Sequence, residues 1–154
     1  MATQAPCRKV MESRCRRILE IMYPGKKFDS IRPTWLKSTR TNKNLELDCY
    51  NHDLKLALEY NGVQHYYFPN VWHKDTPDGF MKYKKTLAHD IFKRDVCRTL
   101  GITLIVVPYT VYKKNLPTYI YQKLVDAHKN KTLKELPARP KTKPKRTHEK
   151  IVHH

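Results

Sequence analysis

Acidic residues are scarce. Only 14 Asp and Glu stand against 31 Lys and Arg in 154 residues, a formal charge of +17 with a pI near 9.8. That imbalance argues against an ordinary acidic or neutral globular enzyme and favours a polyanionic partner. Glycine is scarcer still, with four residues, and no glycine-rich phosphate loop or dinucleotide fingerprint is present. No apolar run approaches the ~18 residues of a membrane-spanning helix, so no membrane partner is expected. The first residues, MATQAPCRKVMESRCRR, lack the apolar stretch of a secretory signal and run straight into an amphipathic pattern. Cys7, Cys15, Cys49 and Cys97 form no Cys-x-x-Cys pair, which argues against structural zinc and fits reduced thiols in an intracellular, non-secreted protein.

What is present divides in two. From Lys129 onward nine Lys/Arg face two Glu in a stretch with three prolines and few apolar residues, which reads as a disordered basic tail over residues 129–154. Residues 1–128 carry 22 basic and 12 acidic residues and read as one domain. A helix is predicted from Val10 to Met22, where Met11, Cys15, Ile18, Leu19 and Met22 recur at helical spacing before Tyr23-Pro24-Gly25. A short strand is expected near Phe28–Arg32. Two alternating strands, Leu45–Tyr50 and Leu54–Tyr60, flank the turn residues Asn51-His52-Asp53 and form a hairpin. A second helix follows from Gly79 to Leu100, its core stripe Ala88, Phe92, Val96 and Leu100, ended by Gly101. The run Thr103–Val107 reads as a strand buried on both faces, and a last helix spans Leu116 to His128. The fold class is α/β, a central mixed sheet containing an antiparallel hairpin and flanked by helices.

The hairpin carries the chemistry. Its aliphatic row (Leu45, Leu47, Cys49; Leu54, Leu56, Leu58) turns one way, and acids turn the other. With Asn51–Leu54 as the loop, Tyr50 pairs with Lys55 and Glu46 with Glu59. Asp48 and Glu59 are then diagonal neighbours on one face, their Cβ atoms about 7 Å apart. Two carboxylates so placed suit a shared magnesium ion, which takes few carboxylates and keeps other positions for water and phosphate. The plainer alternative is the solvated face of an edge hairpin.

The stretch LELDCYNHDLKLALEYNGVQHY, with IRPTWLKSTRTNKN before it and HDIFKRDVCRTLGITLIVVPY after it, resembles the PD-(D/E)XK (restriction endonuclease-like) nuclease superfamily. Within it the chain is most similar to small nucleases of large DNA viruses related to the very-short-patch repair endonuclease. The resemblance covers roughly residues 10–110. It implies a restriction endonuclease-like core and a Mg2+- or Mn2+-dependent DNA endonuclease, structure-specific in repair or recombination. By it, Asp48 is the motif aspartate, Glu59 the second metal-binding carboxylate, the Tyr60 carbonyl a further metal ligand and Glu12 an accessory acid. The motif lysine belongs two residues after the glutamate, where this chain has Asn61, so Gln64 and Lys93 are the candidates to supply that group. Asp90 and Lys93 match an Asp-x-x-Lys pattern of the resembled group and share a helix face. A nuclear, cytoplasmic or virion-associated location follows, and a homodimer is the assembly that structure-specific cutting often uses.

His65 follows the Gly62 turn and could contact phosphate or shuttle a proton, or be an ordinary loop histidine. With His73 and His89 it invites a zinc reading that their spacing does not favour. Tyr66, Tyr67, Phe68 and Trp72 either stack bases or pack beneath their own loop. Arg14, Arg17 and Lys43, with Asp90 and His65 beside them, are the candidate nucleic-acid contacts, DNA foremost with RNA as an alternative. Two rival functions stand: a catalytically weak nucleic-acid-binding module of the same fold, and a basic architectural protein whose tail does the binding.

Overall fold

Residues 7–141, the part of the chain that the computed structural model describes, form three α-helices and four strands. The order is α1 (Arg8–Met22), β1 (Asp29–Ile31), β2 (Leu47–Asn51), β3 (Leu56–Asn61), α2 (Pro77–Thr99), β4 (Thr103–Pro108) and α3 (Leu116–Lys129). The strands form one sheet in the order β1-β2-β3-β4, antiparallel except for the parallel β3–β4 pair. A mixed α/β sheet flanked by helices is therefore what the chain builds. Met11, Cys15, Leu19 and Met22 form the buried stripe of α1. Helix α2 opens on Thr76, whose hydroxyl accepts the Gly79 N–H at 3.0 Å, with Pro77 in its first turn. It ends before Gly101, in the left-handed region at φ +70°.

The hairpin differs from expectation in register. Cys49 pairs with Leu58, Tyr50 with Ala57 and Asn51 with Leu56, so the loop is His52–Lys55. The Asn51 side chain accepts the Leu54 N–H at 2.9 Å, and Lys55 takes a φ of +47°, so Leu56 becomes the first paired residue after the turn. A shift of two residues from the expected pairing keeps every side chain of β3 on its face. The paired residues stop at Cys49↔Leu58, one residue short of Asp48 and Glu59. A second departure lies in β2. Its register against β1 shifts between Asp29↔Tyr50 and Ile31↔Leu47, a bulge. Leu47 consequently packs with Leu36, Ala57 and Cys97, while Cys49 joins Leu56 and Leu58 in the other core layer. The aliphatic row of that strand is split between two faces.

Helices α1 and α3 cover the Leu56, Leu58, Tyr60, Ile105 and Val107 face with the larger core. Helix α2 covers the other face through Phe92, Val96 and Cys97, with far fewer apolar partners. Of its expected stripe, Phe92 and Val96 pack there, Ala88 is half-buried and Leu100 is exposed. Strand β4 is an edge strand whose residues alternate between buried and half-buried, so it is not enclosed on both faces. Glu59 and Asn61 alternate with Leu58 and Tyr60 along β3 and so turn toward the thinner α2 side.

The expected boundary at residue 128 moves outward. Beyond α3, Leu133 is 2% exposed within the main core, Thr103 Oγ1 donates to the Thr132 carbonyl at 2.7 Å, Tyr23 Oη donates to the Glu135 carbonyl, and Ala138 N–H reaches Met22 O at 2.9 Å. Residues 130–141 are a strap anchored at Leu133 and Pro137 and otherwise mostly exposed; the rest of the expected tail lies outside the described residues. Leu133→Ala is expected to cost about 2–5 kcal/mol in denaturant unfolding. A cost below about 1 kcal/mol would remove the strap from the core.

Candidate active site

Between the first turn of α1 and the middle of α2 lies a cleft of about 460 Å³ whose walls include Arg8, Glu12, Glu46, Glu59, His65, Asp90 and Lys93. Beneath it sits Asp48, 1% exposed. One of its oxygens accepts the Tyr60 N–H at 3.0 Å, and the other meets Arg8 Nη2 at 3.1 Å. Tyr60 thus reaches the site through its backbone, with its ring packed in the opposite core layer. Arg8 also holds Glu12, four residues on in α1, with Nε–Oε1 at 2.7 Å. Arg16 Nη2 donates to the Asp48 carbonyl at 2.7 Å and fixes the strand against α1. Glu46 is held by Arg32 at 2.7 Å.

Glu59 is 4% exposed, and Lys93 Nζ lies 2.9 and 3.0 Å from its two oxygens. Burial pushes Glu59 up to about 7, because its charge loses water; Lys93 opposes the rise and Asp48 adds to it. Glu12 is also raised, by burial and then by Asp48, against the pull of Arg8. Lys93 can reach this point because it lies one turn before Cys97, which anchors α2 on Ala57. Asn61, where the motif lysine was expected, is buried at the end of β3. Its carbonyl accepts the Tyr109 N–H at 2.9 Å.

Two further expectations meet in the same cleft. His65 Nδ1 lies 2.7 Å from Asp90 Oδ2, both partly buried. The carboxylate accepts the Nδ1 proton, which leaves Nε2 as the ring's other functional atom. His89 instead contacts Ser38 Oγ at 3.2 Å; burial and then Lys85, Lys93 and Arg40 push its pKa down. His73 contacts Asn70 at 3.1 Å, so the three histidines face three different partners and no zinc set forms among the described residues. Gln64 does not join the cleft. It lines a neighbouring groove with Trp72 and Tyr109, its amide folded against Gly62, where any β-carbon would collide with it. Arg17 and Lys43 are exposed outside the cleft lining, and Arg14 is half-buried with one guanidinium nitrogen unpartnered. Tyr66 and Tyr67 pack on Tyr109, and Phe68 on Phe80 and Tyr83, while Trp72 stays 70% exposed.

The donor set suits a hard divalent cation. Among the described residues, Glu12, Glu46 and Asp48 offer carboxylate oxygens that all lie within 4.8 Å of one another, the chemistry magnesium or manganese prefers. The pair expected to share the ion was Asp48 and Glu59, yet both Glu59 oxygens are engaged by Lys93. Arg8, Arg32 and Glu46 were missed as site residues. Arg8 and Glu12 stand four apart at the head of a helix, which was the readable signal for the first.

Comparison with known proteins gives a lineage. The chain is 40% identical over 119 residues to "Uncharacterized protein 094L" of Frog virus 3 (isolate Goorha), covering 76% of this chain and 72% of that protein. The chain belongs to the family of that viral protein. Other viral relatives are "Uncharacterized protein 307L" of Invertebrate iridescent virus 6, 44% identical over 102 residues (63% of this chain, 49% of the relative), and "Uncharacterized protein 033L" of Invertebrate iridescent virus 3, 35% over 113 residues (73% and 56%). The chain thus spans about half the length of those two. No family model and no solved structure matches it.

Proposed function

We propose that this viral protein is a metal-dependent DNA endonuclease built on a restriction endonuclease-like core. The observation that carries this is Lys93 on Glu59. A lysine from α2 stands beside the second hairpin acid, one step from buried Asp48, where the sequence motif lacks its own lysine at Asn61. A buried acid raised to about 7 next to a lysine in a cleft is an arrangement that folding alone does not favour and that catalysis uses.

Each group has a physical task. Asp48, Glu12 and Glu46 would hold Mg2+ or Mn2+, which when bound supplies positive charge against the phosphate oxygens and lowers the pKa of water. Lys93 places a fixed positive charge inside a partly desolvated cleft, where it stabilises charge developing on the phosphate. His65, steered by Asp90, presents Nε2 to accept or return a proton. Arg8, Lys9 and Arg32 on the cleft walls, and the wider basic excess, attract the backbone of DNA. His65→Ala is expected to lower the cleavage rate about 100-fold with DNA affinity retained, and Asp90→Asn to lower it less. Equal rates in all three proteins would remove the dyad from the reaction. The nuclease would act inside the cell or virion.

The rival with a specific observation behind it is a nucleic-acid-binding module, since every acid named in the cleft but Asp90 already has a cationic partner. The deciding experiment is cleavage of labelled duplex, single-stranded and branched DNA with Mg2+, Mn2+ or EDTA. Cutting that requires the metal supports the nuclease. Binding of all three DNAs with cutting of none overturns it in favour of the module.

A further inference from the structure

We propose that Arg8 is a built-in competitor for the carboxylate end of the cleft: its guanidinium and a divalent cation use the same oxygens, so one excludes the other. This inference concerns regulation of the site and rests on the nuclease reading above. Arg8 touches two of the three acids whose oxygens converge, Glu12 through Nε at 2.7 Å and Asp48 through Nη2 at 3.1 Å. The second Asp48 oxygen already accepts the Tyr60 N–H, so the oxygen that faces Arg8 is the less encumbered one for an ion. A guanidinium and a dication cannot both sit against it without strong repulsion in a partly buried site.

The neighbouring cations are poorer candidates for this role. Lys93 is 13% exposed, anchored in the middle of α2 and bidentate on Glu59. Arg32 pairs only with Glu46, one member of the set. Arg8 is 46% exposed and stands in the first turn of α1, behind an N-cap residue, Cys7, that makes no side-chain capping bond. It can therefore rotate outward with little loss of packing. Outside the carboxylate set it remains on the cleft wall, where a guanidinium suits a phosphodiester. The consequence is a coupled site. The cation expels Arg8, and the expelled Arg8 then favours the polyanion, so metal and DNA each raise the affinity of the other.

The test is Mn2+ binding to the full chain, read from the EPR signal of free Mn2+, for wild type, Arg8→Ala and Asp48→Asn. Arg8→Ala is expected to bind Mn2+ about five- to tenfold tighter than wild type, and Asp48→Asn to bind markedly more weakly. In wild type, the Arg8 side-chain Nε–H resonance should shift and exchange faster with solvent as Mg2+ is added. Equal affinities in wild type and Arg8→Ala, with binding lost in Asp48→Asn, would overturn the competitor and leave the metal site standing. An unmoved Arg8 resonance on Mg2+ saturation would overturn it equally, without reliance on a variant. If wild type, Arg8→Ala and Asp48→Asn all bind alike, the metal reading falls and the competitor falls with it.

Discussion

Asp48→Asn is expected to lower DNA cleavage by roughly three orders of magnitude while leaving DNA affinity measured without metal little changed. Asparagine keeps the volume of the side chain and an oxygen to accept the Tyr60 N–H, so the contact that locks β2 onto β3 survives. The negative charge disappears, and with it the anionic oxygen that Arg8 and, on the proposed mechanism, the metal compete for. Because Asp48 is 1% exposed, it makes no direct surface contact for DNA to lose. Cleavage rate and DNA affinity measured side by side separate the two effects. A variant that cuts at the wild-type rate would end the nuclease proposal at this site, whatever the behaviour of the other residues.

Glu59→Gln is expected to stabilise the protein at alkaline pH. Glu59 is raised to about 7 by burial, so the folded chain holds a proton there that the unfolded chain, with an ordinary glutamate near 4.3, has already released. The stability this proton provides is complete below about pH 4.3 and declines as pH rises, reaching its floor above about 7. Glutamine mimics the protonated form and removes this decline. Wild type should therefore be less stable than Glu59→Gln at pH 8, by about 1–3 kcal/mol or several degrees in Tm, with the gap closing toward pH 5. The opposing effect is the loss of the Lys93 partner, but burial outweighs Lys93 in setting the direction. A smaller slope of the same sign should remain in the variant from Glu12, also raised by burial. Thermal melts from pH 5 to pH 9 decide it. Parallel curves for the two proteins would mean that Glu59 is ionised in the fold at no cost. The expected pattern, stability given up at a buried acid, is what a functional site imposes on a small domain.

These two acids show what was readable from residues alone. Alternation along Leu54–Tyr60 put Glu59 opposite the aliphatic row, and helical spacing put Met11, Cys15, Leu19 and Met22 on one stripe; both hold. Spacing also placed Asp90 and Lys93 on one face of a helix. The order of elements, the mixed α/β sheet and the Gly101 stop were legible because they depend on local geometry: strand and helix periods, and left-handed backbone at a helix end.

Tertiary structure decided the rest. The bulge that splits Leu47 from Cys49 arises where β2 meets β1, and no alternation within β2 records it. The hairpin register depends on the Asn51 side chain and the left-handed Lys55 acting together, which moved the pairing by two residues from the expected one. Leu133 and Pro137 are the buried residues among the described part of a lysine- and proline-rich stretch of low helical or strand pattern, and only their burial makes that stretch structural. The site itself is a matter of distance. Lys93 is 34 residues from Glu59 and Asp90 is 25 from His65, yet both pairs close to within 3 Å because α2 returns across the sheet on its Cys97 and Phe92 contacts. Periodicity fixes which face a side chain takes; which other element that face meets is set by long-range packing, and there this protein assembles its chemistry.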